Sequence, residues 1–69
     1  MKKYTFFVNG IKYSTDQLIT ISQLLLYFNY QSTLFIIEHN NLICHQKNWL
    51  NTTLKTDDRI EIITIVGGG

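Results

Sequence analysis

The chain opens with two short runs in which apolar and polar side chains alternate. These runs cover Tyr4–Val8 and Ile11–Thr15, and Asn9 and Gly10 lie between them. An Asn-Gly pair between two such runs favours a two-residue β-hairpin turn in which both turn residues have positive φ. The turn also sets the register, because the two strand residues that flank it must lie opposite each other.

A short helix is predicted over Thr20–Asn29. Its apolar residues follow the i, i+3, i+4, i+7 spacing that places side chains on one helical face, and they are Ile21, Leu24, Leu25 and Phe28. Thr20 and Gln23 have the spacing of a capping box, and Asn29 suits the left-handed position that ends many helices. A helix this short is not stable alone in water, so it must pack against a sheet.

Three further strands are predicted, at Thr33–His39, Leu42–Cys44 and Arg59–Val66. Turn signals separate them at Asn40-Asn41 and Asp57-Asp58. The stretch 46–56 is polar and irregular, and its apolar anchors are Trp49, Leu50 and Leu54. The resulting order, β-β-α-β-β-β, predicts an α+β fold in which one helix lies across one face of a small mixed sheet.

The predicted core combines the inward-facing residues of the strands with the apolar face of the helix. Alternation along the strands and the helical spacing select Phe6, Val8, Ile11, Leu24, Leu25, Phe28, Leu34, Ile36, Ile60 and Ile62.

Size and composition narrow the possible functions. The chain has 69 residues, a net charge of +1, 45% hydrophobic residues and 16% charged residues, which predicts one small globular domain. Such a domain buries only about 60% of its unfolded surface, so we expect a protein without an active-site cavity of its own rather than an enzyme. The charge provides no basic field for nucleic acid.

The sequence also gives expectations about location and cofactors. No apolar run approaches the ~20 residues that cross a bilayer, and the Met-Lys-Lys start has no apolar stretch typical of a signal peptide. A single cysteine excludes an internal disulfide and a cysteine-rich zinc site, so no metal or other cofactor is expected. The absence of Ala and Pro and the abundance of Ile, Asn and Lys indicate an AT-biased genome, and hence the cytoplasm of a low-GC bacterium or a plastid stroma.

The last residues, Val66-Gly67-Gly68-Gly69, carry the strongest functional signal. Three of the four glycines in the chain stand there, directly after a predicted strand. We therefore divide the chain into a domain over residues 1–66 and a flexible tail over 67–69. Glycine has no Cβ, so such a tail can thread a narrow channel in another protein. The carboxylate of Gly69 is then an uncrowded reactive group, and a partner must activate it, because the chain has no phosphate-binding loop.

The other residues with reactive side chains have structural interpretations. Cys44 is expected to be a small buried apolar residue, with a persulfide relay as the alternative. His39 and His45 are expected to be solvated turn residues, since a metal site needs three or four convergent ligands. The carboxylates Asp57, Asp58 and Glu61 are interpreted as turn residues and an exposed strand charge, and Trp49 as an anchor of a satellite core.

The sequence resembles the ubiquitin-like β-grasp sulfur carriers, and within them the small sulfur carriers of thiamin biosynthesis. The resemblance covers nearly the whole chain, and it is carried by the Asn9-Gly10 hairpin, the Thr20–Leu25 helix start, Trp49, Leu54, Arg59–Ile62 and the Val66–Gly69 ending. Two loops depart from the family pattern. His45-Gln46 stand where Pro-Arg is frequent, and Thr56-Asp57-Asp58 stand where Asp-Gly-Asp is frequent.

The resemblance implies a function as a protein co-substrate rather than an enzyme. A ThiF-like adenylating enzyme, which binds the ATP, would activate the Gly69 carboxylate. A sulfur donor such as a cysteine desulfurase would convert it to a thiocarboxylate, and thiazole synthase would take the sulfur for the thiazole ring of thiamin. Gly67 and Gly68 would thread the tail into the partner.

Three alternatives stay open from the sequence. The chain could be a ubiquitin-like modifier conjugated to lysines through Gly69. It could be a sulfur carrier for another pathway, molybdopterin synthesis or tRNA thiolation. It could also be a small binding module whose glycine tail is inert.

A docking surface for the partner follows from strand alternation. Ile60 and Ile62 are assigned to the helix side, which places Ile63 and Ile65 on the opposite side of the sheet. Phe7 also points away from the predicted core. Because the β-grasp fold places the first and last strands side by side, we expect Phe7, Ile63 and Ile65 to form an apolar patch at the base of the tail.

Overall fold

A computed structural model describes residues 2–29 and 35–64 of the chain. The strands are β1 (Tyr4–Val8), β2 (Ile11–Thr15), β3 (Phe35–His39), β4 (Leu42–Cys44) and β5 (Arg59–Thr64), and the helix is α1 (Ile21–Tyr27). A single 3₁₀ turn covers Gln46–Asn48. The remaining residues of the predicted strands, 33–34 and 65–66, lie outside the described part.

The first hairpin has the predicted turn and register. Asn9 and Gly10 have φ values of 50° and 81°, as a type I′ turn requires. Val8 lies opposite Ile11, and the pairing continues to Tyr4 opposite Thr15. Local turn chemistry is therefore sufficient to fix this part of the fold.

The strands form one five-stranded sheet in the order β2-β1-β5-β3-β4. The last strand, β5, is thus central. It pairs in parallel with β1 and antiparallel with β3, which makes the sheet mixed, as predicted. Because β5 lies between the β1–β2 hairpin and the β3–β4 hairpin, it joins the N-terminal and C-terminal halves of the domain.

The helix begins and ends as predicted. The Thr20 side chain accepts a hydrogen bond from the Gln23 amide at 3.1 Å, and the Thr20 amide donates to the Gln23 side chain at 2.8 Å. Asn29 follows the helix with φ 60°. Two other backbone amides of the first turn have no partner within the helix. The Ile21 amide donates to the Thr52 carbonyl, and the Ser22 amide donates to the Trp49 carbonyl. The irregular segment therefore completes the helix start, which no local signal predicts.

The core lies between α1 and one face of the sheet. Its buried members are Phe6, Val8, Ile21, Leu24, Leu25, Ile37, Leu54, Ile60 and Ile62. Six of them were predicted for the core, and Phe28 packs partly buried against them. Leu34 was also predicted for the core and lies outside the described residues.

Three predictions of burial are wrong. Ile11 is 59% exposed, because it lies at the turn end of the edge strand β2, whereas the helix end covers Tyr13 through Phe28. Ile37 is buried in place of the half-buried Ile36, since pairing with Ile62 turns Ile37 toward the helix. Leu50 is 70% exposed and does not anchor its segment.

We expect the helix–sheet contact to dominate the stability of the domain, and two adjacent leucines test this. Leu25 is 5% exposed and Leu26 is 78% exposed. Leu25→Ala should lower the free energy of unfolding by about 2–5 kcal/mol, since it removes buried methyl groups and leaves a cavity. Urea unfolding followed by circular dichroism measures this loss. Leu26→Ala is the matched control, and equal losses in the two variants would contradict the packing described here.

Candidate functional site

Four residues of the predicted site lie outside the described residues. They are Ile65, Gly67, Gly68 and Gly69. The structure does describe the strand that leads toward them, β5, as far as Thr64. The candidate site is therefore built from β5 and from the surface that surrounds its C-terminal end.

The side of the sheet away from the helix is here called the outer face. On β5 it carries Arg59, Glu61 and Ile63, all exposed, while Ile60 and Ile62 alternate with them and are buried. The face assignment made from alternation along β5 is thus confirmed for Ile60, Ile62 and Ile63. Ile63 is 43% exposed.

The outer face does not bring Phe7 and Ile63 together. Phe7 lies beside Arg59 in the β1–β5 register, whereas Ile63 is four residues further along β5, about 13 Å away at strand spacing. Ile63 instead lies opposite Ile36. The prediction of one patch containing both Phe7 and Ile63 is wrong, because the sequence does not reveal the offset between β1 and β5.

Phe7 is partly covered rather than fully open. The guanidinium carbon of Arg59 lies 4.5 Å from the centre of the Phe7 ring, within the range of a cation–π contact. The N-terminal end of β5 therefore presents an aromatic ring under a cation. The apolar surface near its C-terminal end is provided by Ile36 and Ile63.

Two glutamates stand between these ends of the outer face. Glu38 of β3 lies directly opposite Glu61 of β5. Across the part of the chain that is described, the one ion pair joins His39 and Asp58, so neither glutamate is neutralised there. From the N-terminal end of β5 to its C-terminal end, the outer face is cationic, then acidic, then apolar.

Asparagines in the two hairpin turns hold β5 from both edges. On the β1 edge, the Asn9 amide donates to the Ile60 carbonyl at 2.8 Å, and the Asn9 side-chain oxygen accepts from the Ile62 amide at 2.7 Å. On the β3 edge, Asn40 donates to the Arg59 carbonyl and accepts from the Arg59 amide, both at 2.8 Å. Each asparagine thus extends the hydrogen bonding along β5 beyond the end of the neighbouring strand, at the residue where the hairpin turns.

Asp58 forms a half-buried polar cluster just before β5. Its carboxylate accepts from Nε2 of His39 at 2.8 Å, from the Asn40 amide group at 3.0 Å and from the Lys55 backbone amide at 2.8 Å. A carboxylate has only acceptors, so the His39 nitrogen must carry the hydrogen. The interpretation of His39 and Asp58 as solvated turn residues is therefore wrong. Nothing in the sequence indicated that Asp58, a charged residue in a predicted turn, is buried.

The cluster shifts the acidity of Asp58. Burial alone would raise the pKa of this carboxyl group, but the hydrogen bonds from His39, Asn40 and Lys55 outweigh it and hold the pKa below its ordinary value. Asp58 is therefore ionised in the neutral range and carries its full set of hydrogen bonds there.

The other candidates occupy structural positions. Cys44 is half-buried against the core, and its Sγ lies 3.7 Å from the Thr52 hydroxyl. The Trp49 indole donates to the Cys44 carbonyl at 2.8 Å and stacks on Phe35 with ring centres 5.4 Å apart, which confirms Trp49 as a core anchor. His45 is exposed and precedes the 3₁₀ turn.

Within residues 2–29 and 35–64, no three His, Cys, Asp or Glu side chains are placed to hold a metal ion. The helix described there is also too short to cross a membrane.

A family model described as the ThiS family matches residues 6–69, from the first strand to the last glycine. The chain belongs to the ThiS family. A crystal structure of the thiamine biosynthesis protein ThiS from Geobacter metallireducens superposes with a TM-score of 0.80 at 25% identity, covering 94% of this chain and 99% of that one. The domain is thus a β-grasp fold of the ubiquitin-like sulfur carriers, as the resemblance implied.

Relatives named ycf40 extend the comparison. The ycf40 protein of Trieres chinensis is 49% identical over 65 residues, which cover 94% of this chain and 89% of that protein. The ycf40 protein of Porphyra purpurea is 31% identical over 68 residues, covering 99% and 96%. These relatives match this chain along nearly its whole length.

We expect the Asn9 side chain to stabilise the central strand. Asn9→Gly keeps the positive φ accessible but leaves the Ile62 amide without its acceptor, which should cost about 1–3 kcal/mol of unfolding free energy. The Ile62 amide should also exchange its hydrogen faster with solvent. Asn41→Gly is the control, since Asn41 has φ 72° and its side chain makes no hydrogen bond to a described residue. Equal effects of both changes would contradict this role.

We expect Asp58 to make stability depend on pH on the acid side. Its folded pKa is depressed, so its contribution is complete above the ordinary pKa of about 3.9 and is lost as pH falls through the folded value. Asp58→Asn should therefore be less stable than the parent at neutral pH, with the difference shrinking below about pH 4. Unfolding in urea across this range measures both. Asp57→Asn is the control, and a difference independent of pH would contradict the assignment.

Proposed function

We propose that this ThiS-family protein carries sulfur as a thiocarboxylate on Gly69 for the thiazole ring of thiamin. The observation that carries the proposal is the family match over residues 6–69, which includes the terminal glycines. The solved ThiS of Geobacter metallireducens, named for thiamine biosynthesis, supports the same pathway.

The chemistry follows from the weakness of a carboxylate as an electrophile. In the proposed reaction, a ThiF-like adenylating enzyme joins the Gly69 carboxylate to the AMP part of ATP and releases pyrophosphate. The outer sulfur of a donor persulfide, such as that of a cysteine desulfurase, then attacks the acyl-adenylate and displaces AMP, which leaves an acyl disulfide with the donor cysteine. A thiol cleaves this S–S bond, forms a disulfide with the donor cysteine and leaves the thiocarboxylate on Gly69. Thiazole synthase takes the sulfur, and the carboxylate is regained. The protein is a co-substrate in this cycle, and its partners supply every catalytic group.

The structure supports the proposal through the strand that precedes the tail in the sequence. Asn9 and Asn40 bind both edges of β5 between Arg59 and Ile62, so this strand is fixed in the sheet. Gly67 and Gly68 are proposed to thread the partner's channel, because residues without Cβ pass a narrow passage. The division into a domain over 1–66 and a tail over 67–69 belongs to this proposal.

The outer face is the proposed docking surface for the adenylating enzyme. Ile63 is exposed, lies one residue before the end of β5 and has Ile36 beside it. Phe7, with Arg59 over its ring, contributes at the far end of the same face, and Ile65 is assigned by alternation. Apolar surface next to charged groups is typical of a partner site.

A plastid stroma is the proposed location. The AT-biased composition of the chain and the similarity to ycf40 proteins, whose names are those of plastid reading frames, both support it.

The proposal predicts a defined product in a mixture with ATP, the adenylating enzyme and a sulfur donor. Intact-protein mass spectrometry should show the gain of one sulfur for one oxygen. Deleting Gly69 should abolish this gain without changing the melting temperature, and Gly68→Val should block it by closing the threading path. Conjugates with other proteins would instead support a modifier, and an unchanged mass would support an inert tail.

A further inference from the structure

The two edges of β5 are covered to different extents by the neighbouring strands. On one edge, β3 pairs with β5 from Ile60 to Thr64, the last residue that the structure describes. On the other edge, β1 pairs with β5 at Arg59 and Ile60. The C-terminal half of β5 therefore extends past the end of β1, and on that edge no strand of the described part supplies partners for its backbone.

Asn9 provides hydrogen bonds at this uncovered edge. It follows β1 directly in the chain, and its backbone amide donates to the Ile60 carbonyl at 2.8 Å. Its side-chain oxygen accepts from the Ile62 amide at 2.7 Å. Because the hairpin turns back at Asn9, where φ is 50°, the side chain takes the place that the next residue of a longer β1 would have. Among the described residues, this is the last hydrogen bond on the β1 edge of β5.

Asn40 makes the corresponding contact at the opposite end of β5. Its backbone amide donates to the Arg59 carbonyl, and its side-chain oxygen accepts from the Arg59 amide, both at 2.8 Å. Arg59 begins the strand, whereas Ile62 lies two residues before Thr64, which residues 65–69 follow in the sequence. The two asparagines thus offer the same chemistry at different distances from the tail.

From this difference we infer that Asn9 is a positioning residue for the adenylation of Gly69. The inference rests on the proposed function, and it adds a residue of this chain that acts on the reaction through the strand before the tail. The Asn9 oxygen keeps the C-terminal half of β5 in the sheet, so the adenylating enzyme has fewer residues to order when it takes up the tail. Each residue that is already ordered lowers the entropic cost of bringing the Gly69 carboxylate to the α-phosphate of ATP.

The experiment compares the full chain with Asn9→Gly and Asn9→Asp in an assay that follows pyrophosphate release by the ThiF-like enzyme with ATP. Gly-Gly is itself a type I′ turn pair, so Asn9→Gly keeps the turn and loses the acceptor. We expect kcat to fall about tenfold. The KM for the carrier should stay within about twofold, because the outer face is unchanged. Asn9→Asp keeps an acceptor oxygen and tolerates positive φ, so it should restore kcat.

Asn40→Gly is the matched control for stability. It removes the acceptor of the Arg59 amide and also the bond from Asn40 to the Asp58 carboxylate, so it should lower the melting temperature at least as much as Asn9→Gly. Its kcat should nevertheless stay within about twofold of the parent value, at a temperature at which melting curves show every variant folded. Equal losses of kcat in the two variants would overturn the inference in favour of general destabilisation. A rise in KM alone for Asn9→Gly would overturn it in favour of direct contact with the enzyme.

A measurement on the free proteins separates this inference from the proposed function. Backbone amide relaxation measured by NMR should give a lower order parameter for Thr64 in Asn9→Gly than in the parent or in Asn40→Gly. If the Thr64 order parameter does not change, Asn9 does not hold the end of β5, and the inference fails even when the parent is adenylated. If Thr64 loosens as expected but the parent is not adenylated, the proposed function fails, and the role of Asn9 in adenylation fails with it.

Discussion

The whole domain depends on the pairing of β5 on both of its edges. This strand comes last in the sequence and lies at the centre of the sheet, so its backbone donors and acceptors must be satisfied by two hairpins formed far from it in the chain. Buried backbone groups without partners are costly. The turn asparagines Asn9 and Asn40 supply bonds that the strands themselves are too short to make. These bonds extend the two ladders that join β5 to both halves of the core.

The same strand connects stability with function. Its inward residues Ile60 and Ile62 are buried under the helix, while its outward residues carry the charge and apolar surface of the proposed docking face. A strand can do both because successive side chains point to opposite faces. The core therefore fixes the position of the outer face as far as the C-terminal end of β5 at Thr64.

The loop that contains Asp57 and Asp58 differs in sequence from the pattern of the sulfur carriers. Asp57 has φ 71°, a conformation in which glycine is favoured and Asp or Asn is tolerated. The sulfur-carrier pattern has a glycine in this loop, and here the strain is accompanied by three hydrogen bonds to the neighbouring Asp58 carboxylate. Asp57 therefore takes the positive φ without glycine, next to a carboxylate that is fully hydrogen-bonded.

Local chemistry in the sequence determined the hairpin, the helix with its capping box and the alternation along β5, because each depends on residues close together in the chain. Only the tertiary structure decided the rest. The run Phe35-Ile36-Ile37 has no alternation, so its inward residue was set by pairing with Ile62. The offset between β1 and β5 separated Phe7 from Ile63, and the same assembly brought Glu38 opposite Glu61 and buried Asp58 against His39. These contacts join residues distant in sequence, and their register depends on how the hairpins meet the central strand.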